Sequence, residues 1–99
     1  MTILVHYQLA DGIATIKLDD DKRNALSVEM LRQIYAALDR AEKDRAIVIL
    51  TGRDEVFSAG FDLKTLRGSP GSALKMLGSG FSLTARVLSY PYPVIVACN

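Results

Sequence analysis

Ala46-Ile47-Val48-Ile49-Leu50-Thr51-Gly52 is the stretch whose reading decides the fold. It is a short apolar, β-branched run closed by a glycine, the pattern of a buried strand. Upstream of it, Val28, Leu31, Ile34 with Tyr35, Leu38 and Ala41 recur every three or four residues, while Arg32, Asp39, Arg40 and Lys43 fall elsewhere. That spacing predicts an amphipathic helix from about Ser27 to Lys43. Ser27 or Asn24 supplies its N-cap, and Glu29 sits near the positive end of its dipole. Further upstream, Val5, Tyr7 and Leu9 alternate with His6 and Gln8. Asp11-Gly12 and then Ile13-Ala14-Thr15-Ile16-Lys17-Leu18 follow. Asp-Gly accepts the positive φ values of a tight primed turn, so this is a hairpin. Strand, helix and strand in that order make a βαβ crossover; the class is α/β and the sheet is at least partly parallel.

Downstream, Phe57-Ser58-Ala59-Gly60-Phe61-Asp62-Leu63 reads as a turn of small residues leading into a short helix through Leu66. Gly68-Ser69-Pro70-Gly71-Ser72 reads as a flexible loop. Leu74, Leu77, Phe81, Thr84 and Leu88 mark a second helix, weakened by Gly78 and Gly80 at about 1 kcal/mol each relative to Ala. Glycines inside a helix point to close packing against a neighbour or a bound ligand. Pro91 and Pro93 stop that helix, and Val94-Ile95-Val96-Ala97-Cys98 reads as a strand buried on both faces. Ending on such a strand, the chain is expected to be the N-terminal portion of a larger domain. The alternative is a complete small α/β domain.

Composition narrows the function classes. In 99 residues, 12 Lys plus Arg oppose 11 Asp plus Glu and 49% are apolar, which excludes a disordered chain and any charge-driven nucleic-acid or membrane partner. No apolar run approaches the roughly 18 residues of a membrane span, and Met1 to Leu9 lacks the pattern of a signal peptide, so a cytoplasmic location is expected. The single Cys98 agrees with a reducing compartment and reads as a small core residue. No metal is expected, because His6, the one histidine, reads as a strand surface residue with no second imidazole available. Asp19-Asp20-Asp21 reads as a solvated turn rather than a cation site. Lys22 and Arg23 have two open readings, phosphate contact or solvated connector. Gly68 to Ser72 lacks the Gly-Lys-Ser/Thr ending of a phosphate loop, and Gly78-Ser79-Gly80 is not a dinucleotide fingerprint.

The chemically informative stretch is Gly52 to Leu63. A strand delivers the chain to small residues, where backbone N–H groups at the start of a helix can face an anion or a polarised carbonyl oxygen. Such donors need no reorganisation when negative charge develops. Ser58, Ala59 and Gly60 carry little side chain, so a flat ligand can lie on the backbone. A tight connection without a ligand is the equally open reading.

Together, Asn24-Ala25-Leu26-Ser27 opening a helix, Ile47-Val48-Ile49-Leu50-Thr51-Gly52, Phe57-Ser58-Ala59-Gly60-Phe61-Asp62-Leu63 and Tyr92-Pro93-Val94-Ile95-Val96-Ala97 resemble the enoyl-CoA hydratase/isomerase family, the crotonase superfamily. The resemblance implies a spiral of ββα repeats, of which residues 1–99 would be the N-terminal part of a single domain, assembled as trimers or hexamers. It implies an acyl-CoA thioester substrate and no separate cofactor. Carried over to matching positions, Ser58, Ala59 and Gly60 would contact the adenine end of coenzyme A through backbone, with Lys22, Arg23, Ala25 and Leu26 alongside. Leu63 lies in the same binding stretch, and Asp62 would organise the turn. The N–H of Phe61 would be the first of two donors to the thioester oxygen. The second donor and the acid/base carboxylates of the hydratases lie beyond the matched residues. The chain alone is therefore expected to be inactive. Hydration of a 2-enoyl-CoA is the reaction the resemblance favours. Isomerisation, thioester hydrolysis, dehalogenation and a non-catalytic CoA-binding or assembly module are the alternatives.

Overall fold

The computed structural model describes residues 2–61 and 67–98; the short helix expected through Leu66, and with it Asp62, Leu63 and Lys64, lies outside the described residues. The chain begins with a hairpin, β1 (Val5–Ala10) and β2 (Ile13–Leu18), paired antiparallel from Val5 opposite Leu18 to Ala10 opposite Ile13. Asp11 at φ +52° and Gly12 at φ +76° make the turn, as the Asp-Gly pair predicts. A two-residue strand β3 (Ala25–Leu26) precedes α1 (Val28–Lys43), and β4 (Ile47–Thr51) returns parallel to β2. Then come a second short strand β5 (Gly60–Phe61), α2 (Pro70–Leu88) and β6 (Val94–Ala97), parallel to β4. The main sheet has the order β1-β2-β4-β6, while β3 and β5 pair with each other as a separate parallel ribbon.

The core is one-sided. Ala14, Ile16 and Leu18 of β2 and Val48 and Leu50 of β4 alternate onto the face that α1 covers with Met30, Ile34, Ala37, Leu38 and Ala41. Each such Leu or Ile, taken fully out of water, contributes about 1.5–3 kcal/mol. Ser27 caps α1 by accepting from the Met30 N–H at 3.1 Å; Asn24, the other sequence candidate, serves elsewhere. Tyr90 buries its ring and donates its hydroxyl to the Ala46 carbonyl at 2.6 Å, tying the end of α2 to the start of β4. Arg86 holds the two helices together. Its Nη2 lies 3.2 Å from Asp39 and 2.7 Å from Glu42, with the guanidinium over the Tyr90 ring.

Two sequence expectations are corrected. Gly68 to Ser72 is not all loop: Ser69 caps α2 by accepting from Ser72 N–H and Pro70 occupies its first turn, where a missing N–H costs nothing. The buried face of α2 is set by Met76, with Leu83 and Val87 packed against the core, whereas Leu74 and Phe81 are 70% exposed and Leu88 is 82% exposed. An apolar spacing reports that a face can be buried, not which of two apolar faces meets the sheet. At the edge of the sheet, β6 packs Val94 on the core and leaves Ile95, Val96 and Cys98 exposed, as expected for the N-terminal portion of a larger domain. Among the described residues nothing covers its far side. No helix among them is long and apolar enough to cross a membrane.

Tyr7 closes the other end of α1. Its hydroxyl donates to Asp44 Oδ2 at 2.7 Å, and the Arg40 guanidinium lies 4.3 Å from its ring centre. Burial and then the Asp44 carboxylate push the phenol pKa up from 10.0 to about 12. The folded state thus favours the protonated phenol, and this contribution is complete below pH 10.0 and is lost as the pH climbs toward about 12. Urea midpoints recorded across that window should fall less steeply for Tyr7→Phe than for the wild type; equal slopes would contradict the assignment.

Candidate functional site

The Asp-rich connection after β2 is a built structure rather than a solvated strap. Asp19 Oδ1 accepts from the Asp21 N–H at 2.9 Å, and Asp20 Oδ1 accepts from the N–H groups of Lys22 at 2.7 Å and Asn24 at 3.0 Å. These turns fold the chain back so that Asn24 enters the interior, fully buried, with φ +54°. Asparagine is among the few residues with a side chain that tolerate this left-handed geometry. Its Nδ2 donates to the carbonyls of Leu18 at 2.8 Å and Phe57 at 3.1 Å, and its Oδ1 accepts from the Asp20 N–H at 2.9 Å. One amide therefore joins the end of β2, the Asp turn and the segment before β5.

The small-residue turn is sewn to the same connection. Ala59 N–H donates to the Arg23 carbonyl at 2.8 Å, and Ser58 Oγ donates to the Asn24 carbonyl at 2.7 Å while accepting from the Gly60 N–H at 3.0 Å. Beyond these bonds, Ala25 pairs with Gly60 and Leu26 with Phe61. Gly60 has φ +87°, a conformation that side chains resist, although an added Cβ there would meet nothing within 4 Å. Gly52 is glycine for the other reason: a Cβ would overlap the Val56 carbonyl and the Phe57 Cα of the turn it closes. Arg53 completes the frame. It donates to the Lys22 carbonyl, and its guanidinium lies 3.4 Å from Asp19 and 3.5 Å from Asp21.

The structure thus brings Lys22, Arg23, Ala25, Leu26, Ser58, Ala59, Gly60 and Phe61 to one place, the β3–β5 ribbon and its approaches; Asp62 and Leu63 lie outside the described residues. The side chains of Lys22 and Arg23 are exposed while their carbonyls hold the frame. The Ser58 hydroxyl is spent on the turn, which leaves backbone as the surface this segment presents. Just beyond the ribbon, hydrogen bonds from Arg32 and Gln33 hold the Glu29 carboxyl below the usual range in the first turn of α1. The open depression lined by Asp39, Glu42, Lys43 and Arg86 sits on the α1–α2 seam, away from this ribbon; its ion pairs join helices and supply no reactive group. Among the described residues no three His, Cys, Asp or Glu side chains cluster as a metal site.

Sequence reasoning missed the roles of Asn24 and Arg53 and the ribbon itself. The available signal for Asn24 was its place between an Asp turn and an apolar pair, where a positive φ is needed. Nothing local marks the reach of the Arg53 side chain to Lys22, Asp19 and Asp21, more than thirty residues away.

Comparison with known proteins gives a consistent answer. The family model described as Enoyl-CoA hydratase/isomerase matches residues 8–99. A probable enoyl-CoA hydratase of Bacillus subtilis is 33% identical over 92 residues, covering 88% of this chain and 35% of the relative. A 4-chlorobenzoyl coenzyme A dehalogenase of Arthrobacter is 41% identical over 68 residues, covering 66% of this chain and 25% of that protein. The crystal structure of an enoyl-CoA hydratase/isomerase family protein from Pseudomonas syringae superposes with a TM-score of 0.94 at 48% identity, over 96% of this chain and 41% of that one. The chain thus spans about a quarter to two-fifths of the length of these relatives, and its α/β architecture is the crotonase fold they share.

The Asn24 amide gives a direct test of the frame. Asn24→Gly keeps the backbone freedom but leaves the Leu18 and Phe57 carbonyls without a partner, and should cost about 2 kcal/mol of folding free energy. Asn24→Ala also opposes the positive φ and should cost about 1 kcal/mol more. Chemical denaturation measures both; a glycine variant as stable as the wild type would contradict the role.

Proposed function

The chain belongs to the enoyl-CoA hydratase/isomerase family, and from that premise we propose that the intact protein acts on an acyl-CoA thioester through an oxyanion-stabilised enolate. Hydration of a 2-enoyl-CoA is the reaction proposed first. The observation that carries the reading is the β3–β5 ribbon, in which small, backbone-presenting residues stand beside the Lys22 to Leu26 segment at a fixed spacing. In this reading Ser58, Ala59 and Gly60, with Ala25 and Leu26, offer backbone to the adenine end of coenzyme A. Lys22 and Arg23, both exposed, stand where its phosphates would pass. Phe61 offers its N–H to the thioester oxygen, and Asp62 and Leu63 continue the same binding stretch.

The chemistry asked of Phe61 is electrostatic. When a nucleophile adds beside the thioester, or a proton leaves, negative charge moves to the carbonyl oxygen. An N–H fixed in advance is worth about 3 kcal/mol of barrier there because it need not reorient. The frame below supplies that fixity: Gly60 N–H is tied to Ser58 Oγ, and Ser58 in turn to Asn24. A general acid or base is not assigned to any residue of the chain. No separate cofactor is proposed; coenzyme A enters as part of the substrate. Homotrimeric or hexameric assembly and a cytoplasmic location are proposed from the family resemblance.

Dehalogenation is the second reading, favoured by the 41% identity to the Arthrobacter protein over 68 residues. Both reactions need the same donor. Crotonyl-CoA and 4-chlorobenzoyl-CoA offered to the intact protein separate them, and turnover of neither would refute the pair. Phe61→Pro removes the N–H and should lower kcat at least ~100-fold. A variant that stays folded by circular dichroism and remains active would eliminate Phe61 as a donor.

A further inference from the structure

Two glycines sit two residues apart inside α2, and only one of them has a reason. A Cβ built on Gly78 would meet nothing within 4 Å. A Cβ built on Gly80 would lie 2.6 Å from both Cε1 and Cζ of the Phe61 ring and 3.9 Å from its Cδ1. Neither glycine has a positive φ, so backbone freedom does not explain either. The space at Gly80 is filled by the side chain whose own backbone N–H is the proposed donor.

We infer that Gly80 is a positioning residue for the Phe61 amide. Where any other helical residue would carry a Cβ, it lets the Phe61 ring lie directly on α2, and this contact sets where the end of β5 stands. Phe61 is held from three sides. Leu26 pairs with it across the ribbon, Gly60 before it is tied through Ser58 to Asn24, and α2 carries its ring. A methyl group at position 80 overlaps the outer edge of that ring at Cε1 and Cζ, so the ring must give way, and the strain is passed to the strand end that bears it. α2 is itself packed on the core through Leu83 and Val87 and joined to α1 by Arg86, which resists a shift of the helix. Geometry at a reacting centre is unforgiving, since a misplacement of about 1 Å can cost ~100-fold in rate.

The inference rests on the reading of Phe61 as a donor, and the test separates the two. Gly80→Ala and Gly78→Ala are compared in the intact enzyme, with the substrate it turns over, crotonyl-CoA or 4-chlorobenzoyl-CoA. Both changes favour the helix equally. Gly78→Ala should keep kcat within about twofold, and Gly80→Ala should lower it at least ~10-fold. Neither should change the Kd for free coenzyme A, which has no acyl carbonyl, by more than about twofold, a split that general loss of structure would not produce. Trimming the ring in Gly80→Ala/Phe61→Ala should remove the penalty, giving the kcat of Phe61→Ala alone. Equal kcat for the two glycine variants, with Phe61→Pro inactive, would overturn the inference while leaving the donor standing. An active, folded Phe61→Pro would remove the donor and the inference with it. Should Gly80→Ala not fold, recovery of folding in the double variant supports the contact and failure to recover overturns it.

Discussion

A buried amide holds this chain together where its sheet meets its site. Asn24 is enclosed by protein and bonds through Nδ2 to the Leu18 and Phe57 carbonyls and through Oδ1 to the Asp20 N–H. A buried carbonyl left without a partner costs about 1–3 kcal/mol, so the arrangement is costly to lose and hard to replace with an apolar residue. No buried side-chain nitrogen or oxygen among the described residues lacks a partner. The consequence is positional: the exit of β2 and the approach to β5, more than thirty residues apart in sequence, are held in one register. The ribbon of β3 and β5 follows from that register.

The rest of the fold brings this frame to a stable platform. The β2–α1–β4 crossover buries one face of the sheet, and the Gly52 turn carries the chain away from the end of β4 in a space too small for a side chain. Three glycines then serve three distinct physical needs. Gly52 removes volume against backbone, Gly60 supplies a positive φ, and Gly80 removes volume against an aromatic ring. The aspartates at positions 19 and 20 and Ser58 are likewise committed to the chain's own backbone. These polar side chains are thus structural, whereas the side chains of Lys22 and Arg23 stay exposed.

Much of the architecture was legible. The hairpin, α1 and the parallel return of β4 rest on local signals: a primed-turn dipeptide, a period of three to four, and a β-branched run. Those signals survive because each element's inward face is set by its own sequence. The orientation of α2 was not legible, since it depends on what packs against an apolar segment rather than on the segment itself. At the site, residues of the resembling motifs do come together, but the forces that bring them together were hidden. Asn24 looked like a helix cap because asparagine favours both caps and left-handed turns, and only the tertiary fold decides between them. Arg53 acts across a sequence distance that no periodicity reports.

Backbone of residues 22–26 and 58–61 is the face proposed to receive coenzyme A. Amide hydrogen exchange of the intact protein, measured with and without saturating coenzyme A, tests it directly. Slowed exchange is expected in peptides covering 22–26 and 58–61, with no change on the α1–α2 seam around Asp39, Glu42 and Arg86. Protection confined to that seam, with both backbone segments unaffected, would contradict it.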